Sequence, residues 1–304
     1  MTLFVDIVSR ITLPLVLLMG LGYLLERKLK LDVATLSRLL VYAVLPCALV
    51  HFLTTASLPL SAVGLSAWFA AVQFFALLGL GWLGAKLLKL GPAARAVFAL
   101  AVAFPNSGNY GLPLVELAYG GNYIMHQSVI TSVHSILIVT VGVFLLSAQR
   151  HSLGSALRAM LATPLIPSVA LGLLIKGFDI TLPSVIALPL KVTGSALTPI
   201  ALFTLGAQIA SASNWQASWR PVGASLILRM VAAPALTWAA AMAFAFPPDL
   251  TSLYTVGAAT PVGVLLVVFA AQYESDVNLA TAMAVVSTIL SPIVVTVALA
   301  LAGP

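Results

Sequence analysis

A polar stretch inside a long apolar run contains the residues best suited to bind a solute. It covers residues 103–113, Ala-Phe-Pro-Asn-Ser-Gly-Asn-Tyr-Gly-Leu-Pro. Its two prolines lack an amide hydrogen and its two glycines tolerate an open backbone, so the sequence predicts a break in a membrane helix here. Freed backbone groups cannot face lipid, so the break should line an enclosed or hydrated cavity. Asn106, Ser107 and Asn109 would stand there beside free backbone dipoles, an arrangement typical of a carrier for a polar solute.

The composition places the chain in a lipid bilayer. Of its 304 residues, 61% are hydrophobic and only 7% are charged, which is too little polar surface for a soluble protein of this size. The 14 basic and 8 acidic residues set the orientation in the membrane and do not indicate a nucleic-acid partner. Cys47 is the only cysteine, which excludes an intrachain disulfide and cannot supply a metal site by itself. The sequence has no Ser/His/Asp spacing, zinc motif or pair of catalytic acids, so we expect neither enzyme activity nor a cofactor.

Apolar runs separated by charges and turn signals predict an all-α membrane protein with ten transmembrane helices. Placing the loop after the first helix in the cytoplasm puts ten of the 14 basic residues on that side, so both termini should be extracytoplasmic. The predicted helices are 3–25, 33–54, 61–88, 93–118, 125–148, 161–178, 184–210, 219–246, 250–272 and 277–302.

The two halves of the chain share a pattern of proline and polar residues. Pro14 and Pro46 have the same spacing as Pro167 and Pro199. A constant offset of 156 residues pairs four further positions: Pro105 with Pro261, Asn122 with Asn278, Ser135 with Ser291, and Thr140 with Thr296. Prolines are frequent in membrane helices, so chance matches are the alternative. We interpret the pattern as a duplication, with residues 1–152 and 153–304 as two inverted repeats of five helices and broken helices 4 and 9 crossing at the bilayer centre.

Three segments carry a resemblance to a known family: 104–113 in helix 4, 201–206 in helix 7 and 260–273 in helix 9. They resemble the auxin efflux carrier family of plants and its bacterial relatives, many of which are described as malate or malonate permeases. The resemblance implies the bile-acid symporter and auxin carrier type of fold, with a scaffold of helices 1, 2, 6 and 7 and a transport domain of helices 3–5 and 8–10. It also implies a substrate site between these domains, a homodimer formed through scaffold helices, and the inner membrane of a bacterium. Phe104 stands where plant members have asparagine, so their auxin contact at that position is not expected.

Pro105, Pro261 and Gly263 should shape the crossing, Gly263 by allowing close helix packing rather than by contacting the solute. Asn106 and Asn109 can donate hydrogen bonds to a carboxylate, and the half-helix that begins near Asn109 would point its positive end at the crossing. The alternative is that these asparagines only cap the broken helix ends.

Arg229 lies inside predicted helix 8, where an ionised side chain is costly unless it is paired or used. The repeat offset pairs it with Gln73 in helix 3. One interpretation is that Arg229 attracts a substrate carboxylate. A second is that it takes the place of the sodium ion bound in related folds. A third is that it extends toward the cytoplasmic face, as Arg220 lies nearby in the sequence.

Gln73, His134, Ser287 and Ser291 are the candidates for ion coupling. His51, His126 and His134 carry groups that titrate near neutral pH, and His134 is the one predicted well inside a helix; packing is its alternative role. We expect a secondary active transporter that moves a small organic anion, a carboxylate, by alternating access. One alternative is a sodium-coupled symporter resembling the bile-acid family, which would bind sodium through Ser287, Thr288, Ser291 and backbone oxygens. Another is a receptor that binds the ligand without moving it.

Overall fold

The computed structural model describes residues 2–55, 60–120, 123–147, 164–212 and 217–303. Within these ranges the chain is helical, and no named strand is formed. Asn122 of the repeat comparison, and Arg150 and Arg158 of the ten basic residues assigned to the cytoplasm, lie outside them.

Seven helices of the described part are long and apolar enough to cross a membrane, by length and composition. They are α1, α2, α3, α6, α8, α9 and α12 in the following numbering. The helices in chain order are α1 (Phe4–Leu29), α2 (Val33–Thr55), α3 (Leu60–Leu87), α4 (Pro92–Ala103), α5 (Leu112–Tyr119), α6 (Ile124–Leu146), α7 (Leu165–Gly177), α8 (Ser184–Ser211), α9 (Trp219–Ala243), α10 (Pro248–Ala258), α11 (Leu265–Gln272) and α12 (Val277–Ala302). The chain is therefore an all-helical membrane protein.

The three predicted spans that do not appear among these seven correspond to shorter helices. Predicted helix 4 is divided into α4 and α5, and predicted helix 9 into α10 and α11. Predicted helix 6 corresponds to α7, which has 13 residues within the described range. A helix needs about 20 residues to cross the hydrocarbon core, so none of these pieces meets that length alone.

Three prolines inside the long helices follow five-residue turns that are wound more widely than an α-helix. These turns are Val8–Thr12 before Pro14, Leu40–Val44 before Pro46, and Leu228–Ala232 before Pro234. In the first turn the Leu13 N–H donates to the carbonyl of Val8, five residues back rather than four. The wider winding makes room for the proline ring, so each helix continues past it. Arg229 lies in the third of these turns.

α1 and α8, which correspond to predicted helices 1 and 7, pack face to face at two glycines. A Cβ atom on Gly206 would lie 1.8 Å from the Met19 carbonyl oxygen, and one on Gly22 would lie 2.1 Å from that of Phe203. No side chain fits at such distances, so only glycine lets the two backbones come this close.

α4 lies in the interior of the molecule. Residues 96–103, its last two turns, are all buried. They share one apolar cluster with residues of α3, α6, α9, α11 and α12. The backbone that follows α4 is therefore surrounded by protein, which is the setting that an open backbone in a membrane requires.

Candidate functional site

The first helix break follows from the chemistry of one proline. Pro105 has no N–H, and its ring pushes the preceding residue out of the helical region. Phe104 accordingly has an extended conformation, with φ −101° and ψ 100°, and α4 ends at Ala103. The chain becomes helical again in a wide turn at Ser107–Gly111 and continues as α5. The break predicted in residues 103–113 is therefore confirmed.

A second break separates α10 from α11 at residues 259–264. The two breaks pair with each other through an isolated antiparallel bridge between Pro105 and Val262. The Asn106 N–H donates to the Pro261 carbonyl at 2.7 Å. Pro105 and Pro261, which the repeat offset pairs in the sequence, thus lie in two segments that meet. Backbone groups that one break leaves free are hydrogen-bonded to the other.

Gly263 and Phe104 fix the distance between the two segments. The Gly263 N–H donates to the Phe104 carbonyl at 3.0 Å. A Cβ atom on Gly263 would lie 2.3 Å from ring atom Cε1 of Phe104, whose side chain is buried. Gly263 is therefore a close-packing position, as the sequence suggests. The segment is also held to α12, because the Val262 N–H donates to Ser287 Oγ at 3.0 Å.

The two breaks meet at Pro105 and Val262, a place we call the crossing. Asn106 lies beside it and has a side-chain donor without a partner among the described residues. Its side chain makes no capping hydrogen bond, so the capping interpretation does not describe it. The amide nitrogen Nδ2 is buried and has no partner among the described residues, and the residue is only 5% exposed. A buried amide donor without a partner costs about 1–3 kcal/mol. The energy is recovered when a ligand accepts the hydrogen bond.

Two side chains of α6 hold the backbone after Asn106 in place. Gln127 Nε2 donates to the Ser107 carbonyl at 2.8 Å, and Thr131 Oγ1 donates to the same oxygen at 3.0 Å. Both residues are buried. The carbonyl of Ser107 is therefore turned toward α6, away from the amides of the following turn.

A cavity of about 440 Å³ opens on one side of the crossing. Its lining includes five of the seven residues that the sequence suggests for substrate binding, and lacks Pro261 and Arg229. These are Pro105, Asn106, Ser107, Gly263 and Asn109. The opposite wall comes from α2 and α8, with Ser37, Tyr42 and Gln208. No charged side chain of the described part lines this cavity, so a polar solute in it would be recognised by amides, hydroxyls and backbone dipoles.

The guanidinium of Arg229 donates hydrogen bonds to backbone carbonyls beside both helix breaks. Its Nη1 donates to the Val102 carbonyl at 2.9 Å and its Nε to the Thr260 carbonyl at 3.2 Å. Val102 lies in the last turn of α4, and Thr260 lies two residues after the end of α10, in the second break. Carbonyls at a helix end carry partial negative charge, so the guanidinium places its positive charge where both helices end or have just ended.

The burial of Arg229 bears on the three interpretations of its role. The side chain is 0% exposed, which contradicts a guanidinium that extends toward the cytoplasmic face. Arg229 is also absent from the cavity lining. Two of its nitrogens donate to backbone carbonyls, and its third nitrogen, Nη2, is buried without a partner among the described residues. In this structure the guanidinium is therefore a buried cation beside the two breaks, and it does not face the cavity.

None of the four candidates for ion coupling lines the cavity. Three of them are hydrogen-bonded within the protein, and His134 has no hydrogen-bond partner among the described residues. Gln73 Nε2 donates to Thr237 Oγ1 at 2.7 Å, which ties α3 to α9. Ser287 and Ser291 donate to carbonyls of their own helix, α12. His134 is buried between two aromatic rings, and neither ring nitrogen has a partner in the part of the chain that is described.

Sequence reasoning missed Gln127 and Thr131, which support the crossing, and did not place Ser135 in the site. Gln127, Thr131 and Ser135 recur every fourth residue along α6, and Thr131 and Ser135 line the cavity. Polar residues at this spacing form one face of a helix. This regular spacing of polar residues along a membrane helix was the signal that could have identified them.

Comparison with known sequences agrees with this geometry. A sequence profile of a family described as "Membrane transport protein" matches residues 7–154 and 147–299, and so covers nearly the whole chain. No curated protein shows significant similarity to the chain. On the family match, this chain belongs to the membrane transport protein family, the family of the auxin efflux carriers that its three segments resemble.

Proposed function

We propose that this membrane transport protein is a secondary active transporter of a small organic anion, a carboxylate, and that it works by alternating access. The observation that carries the proposal is the cavity of about 440 Å³ at the meeting point of two broken helices. Its wall holds the buried amide nitrogen of Asn106, which has no partner among the described residues. A donor of this kind is suited to a solute that accepts hydrogen bonds.

An anion is favoured over a neutral solute by the backbone at the start of α5. The turn Ser107–Gly111 begins at the cavity, and the first N–H groups of a helical segment have no helical partner. These groups carry partial positive charge. Asn106 and Asn109 add side-chain donors beside them. A single carboxylate matches this set of donors, and no buried full charge on the protein is needed to hold it.

The composition of the cavity wall supports a two-domain mechanism. One wall is formed by α2 and α8, and the other by the two breaks with α6. In the proposed arrangement α1, α2, α7 and α8 form the scaffold, and the remaining helices form the transport domain that moves against it. The chain would then have ten spans in two inverted repeats, 1–152 and 153–304, with both termini extracytoplasmic in a bacterial inner membrane. A homodimer through scaffold helices belongs to the same proposal.

A sodium-coupled symporter is second to this proposal. Its candidate ligands Ser287 and Ser291 already donate to carbonyls of α12. Arg229 supplies a positive charge at the two helix ends, where a second cation would be repelled. Sodium-dependent stabilisation of the purified protein would reverse this order.

The test is a thermal-shift panel of acetate, malonate and malate, with and without sodium, on the purified protein and on Asn106→Asp. A ligand that binds the folded state raises Tm. Two carboxylates about 4 Å apart repel by about 4 kcal/mol at an effective dielectric constant of about 20, so the variant should bind the stabilising anion roughly 10³-fold more weakly. Asn278→Asp is the matched control, because Asn278 is exposed at the start of α12, away from the cavity.

Anions that bind should then move across proteoliposome membranes as radiolabelled solutes. The proposal fails if no carboxylate stabilises the wild type, or if Asn106→Asp binds as well as the Asn278→Asp control. Binding without flux would identify a receptor rather than a carrier.

A further inference from the structure

A second group of buried polar side chains lies outside the cavity. Ser66 on α3 is hydrogen-bonded to two partners, His126 Nδ1 on α6 at 2.6 Å and the Tyr254 hydroxyl on α10 at 2.9 Å. All three residues are buried, with His126 only 3% exposed. None of them lines the cavity at the crossing. Three helices of the proposed transport domain are thus joined by one hydrogen-bonded chain.

The hydrogen bond between His126 and Ser66 depends on the proton at Nδ1. An unprotonated Nδ1 accepts from the Ser66 hydroxyl, whereas a protonated Nδ1 donates to the Ser66 oxygen, in one neutral tautomer or in the imidazolium. The hydroxyls of Ser66 and Tyr254 can each donate or accept, so their hydrogen bond can form in both cases. Both nitrogens of an imidazolium are donors, so protonation of a ring whose Nδ1 accepts requires the bond to Ser66 to reverse.

A charged residue near the surface, Asp249, is connected to His126 through Tyr123. Its ring lies 6.5 Å from that of Tyr123, measured between ring centroids, and the Tyr123 hydroxyl donates to the carboxylate of Asp249. Asp249 is exposed in the first turn of α10. Among the described residues, the titratable groups around His126 are these two residues, Tyr254, and Tyr119, whose ring contacts that of Tyr123. Asp249 is the charged one, and its negative charge favours a protonated imidazole, against the larger opposing effect of the burial of the ring.

His134, the histidine chosen from the sequence, lacks these features. Its ring lies between Phe74 and Phe104, with centroid distances of 6.2 and 6.5 Å. Neither ring nitrogen is hydrogen-bonded to any described residue. A proton bound there would have no partner to stabilise its charge, so the structure favours His126 as the group that titrates.

His126 also has a short connection to the crossing. The next residue, Gln127, donates to the Ser107 carbonyl at 2.8 Å. Tyr254 belongs to α10, whose end leads into the second break. A reversal of the hydrogen bonds between α6 and α10 therefore acts on two elements that hold the crossing in place.

We infer that His126, with Ser66 and Tyr254, forms a proton-binding site in the transport domain, and that the carrier couples solute movement to protonation at this site. The coupling part rests on the proposed transport function. The proton-binding part does not, and it can be tested without a substrate.

The experiment measures Tm of the purified protein between pH 5 and pH 8 for the wild type, His126→Gln and Ser66→Ala. The difference in Tm between wild type and His126→Gln should change by at least about 2 °C over this range, as about 1 kcal/mol of pH-dependent stability would produce. His51→Gln is the matched control, since His51 lies on α2 and lines a different cavity.

Ser66→Ala keeps the imidazole and removes its hydrogen bond to Ser66, so it tests the inference even if His126→Gln does not fold. A hydrogen bond to the protonated ring is stronger than one to the neutral ring, so its loss should move the midpoint of the pH-dependent step to lower pH by roughly 0.4–1 unit. A Tm difference that is constant with pH for His126→Gln, or an unmoved midpoint for Ser66→Ala, would overturn the inference.

The coupling is measured in proteoliposomes that contain a pH-sensitive dye, with malonate and malate gradients as the driving force. The wild type should move protons with the anion, and His126→Gln should lose at least tenfold of that proton movement. Anion flux with an unchanged proton signal in His126→Gln would refute the coupling. The absence of any anion flux in the wild type would refute the proposed function, and the Tm measurements would still decide whether His126 binds a proton.

Discussion

Replacement of Gly263 by alanine is the most direct test of how the crossing is held together. The new Cβ would lie 2.3 and 2.4 Å from ring atoms Cε1 and Cδ1 of Phe104, and 3.1 Å from the Pro105 carbonyl oxygen. Carbon atoms prefer separations of about 3.5–4.0 Å, so the ring has to move by more than about 1 Å. Phe104 is only 4% exposed, and its ring has little space into which to move.

Overpacking of this kind costs about 1–3 kcal/mol. In a protein of this size we expect Tm of Gly263→Ala to fall by roughly 2–10 °C. Gly263 is not in a helix, so alanine gains no helix propensity to offset the clash. Gly257→Ala is the matched control, because Gly257 lies inside α10 and its Cβ would meet only Gln127 Oε1 at an ordinary 3.7 Å. That control should be neutral or stabilising by up to about 1 kcal/mol.

A double-mutant cycle shows whether Phe104 is the cause. Phe104→Ala removes the ring that the new methyl group meets, at its own cost of about 3–5 kcal/mol. If the clash is the mechanism, Gly263→Ala should cost at least about 1 kcal/mol less in the Phe104→Ala background than in the wild type. The assay is thermal unfolding in one detergent, followed by tryptophan fluorescence. Equal Tm values for Gly263→Ala and Gly257→Ala, or additive effects in the cycle, would show that the reasoning about this contact is wrong.

Two further predictions concern the charged groups. Arg229→Met should lower Tm by about 5 °C or more, because the carbonyls of Val102 and Thr260 lose their buried donor at about 1–3 kcal/mol each. Arg229→Lys should lower Tm by less than Arg229→Met but should not restore the wild-type value, since an ammonium lacks the planar fork that reaches both oxygens. The Tyr123 hydrogen bond is the main reason that the pKa of Asp249 lies below its usual value. This stabilisation is present above the unfolded pKa of about 3.9 and is lost as pH falls through the lower folded pKa. Tyr123→Phe should therefore lower Tm by about 1–2 °C at pH 7 and by nothing near pH 2, a small effect because Asp249 is mostly exposed.

The helix breaks could be predicted from the sequence because their cause is local. Pro105 removes an N–H and forces Phe104 into an extended conformation, whatever surrounds them. The pairing of the two breaks was predicted from the constant offset between the halves of the chain, which links Pro105 to Pro261. The structure places Pro261 in a hydrogen bond with the neighbour of Pro105, Asn106.

The number of long helices was harder to predict, because hydropathy does not show where a helix stops and restarts. The apolar run 93–118 has the length of one span, yet α4 has 12 residues and covers only about 18 Å. The same holds for 250–272, which the structure divides into α10 and α11. Seven helices of the described part therefore have the full length of a span, where the sequence predicted ten.

The role of Arg229 could not be predicted, because its partners are distant in the sequence and belong to the backbone. Val102 is 127 residues away and Thr260 is 31. Any residue type offers a carbonyl, so no sequence pattern marks these two as acceptors. The sequence placed Arg229 inside a helix, but it left open an extended side chain at the cytoplasmic face and gave no direction for the guanidinium.

The position of Arg229 has a consequence for how the cavity can treat an anion. Two nitrogens of the guanidinium donate to the carbonyls of Val102 and Thr260, and the guanidinium does not line the cavity. In the proposed function, the helical segment that starts at Ser107 and the amides of Asn106 and Asn109 would therefore attract the negative charge. These groups are fixed dipoles rather than full charges, and their attraction is weaker and of shorter range than that of an ion pair. A carboxylate held only by such groups can be released without separating two opposite charges in a low-dielectric interior. A carrier needs that property on both sides of the membrane, since a solute bound too tightly would stop the cycle.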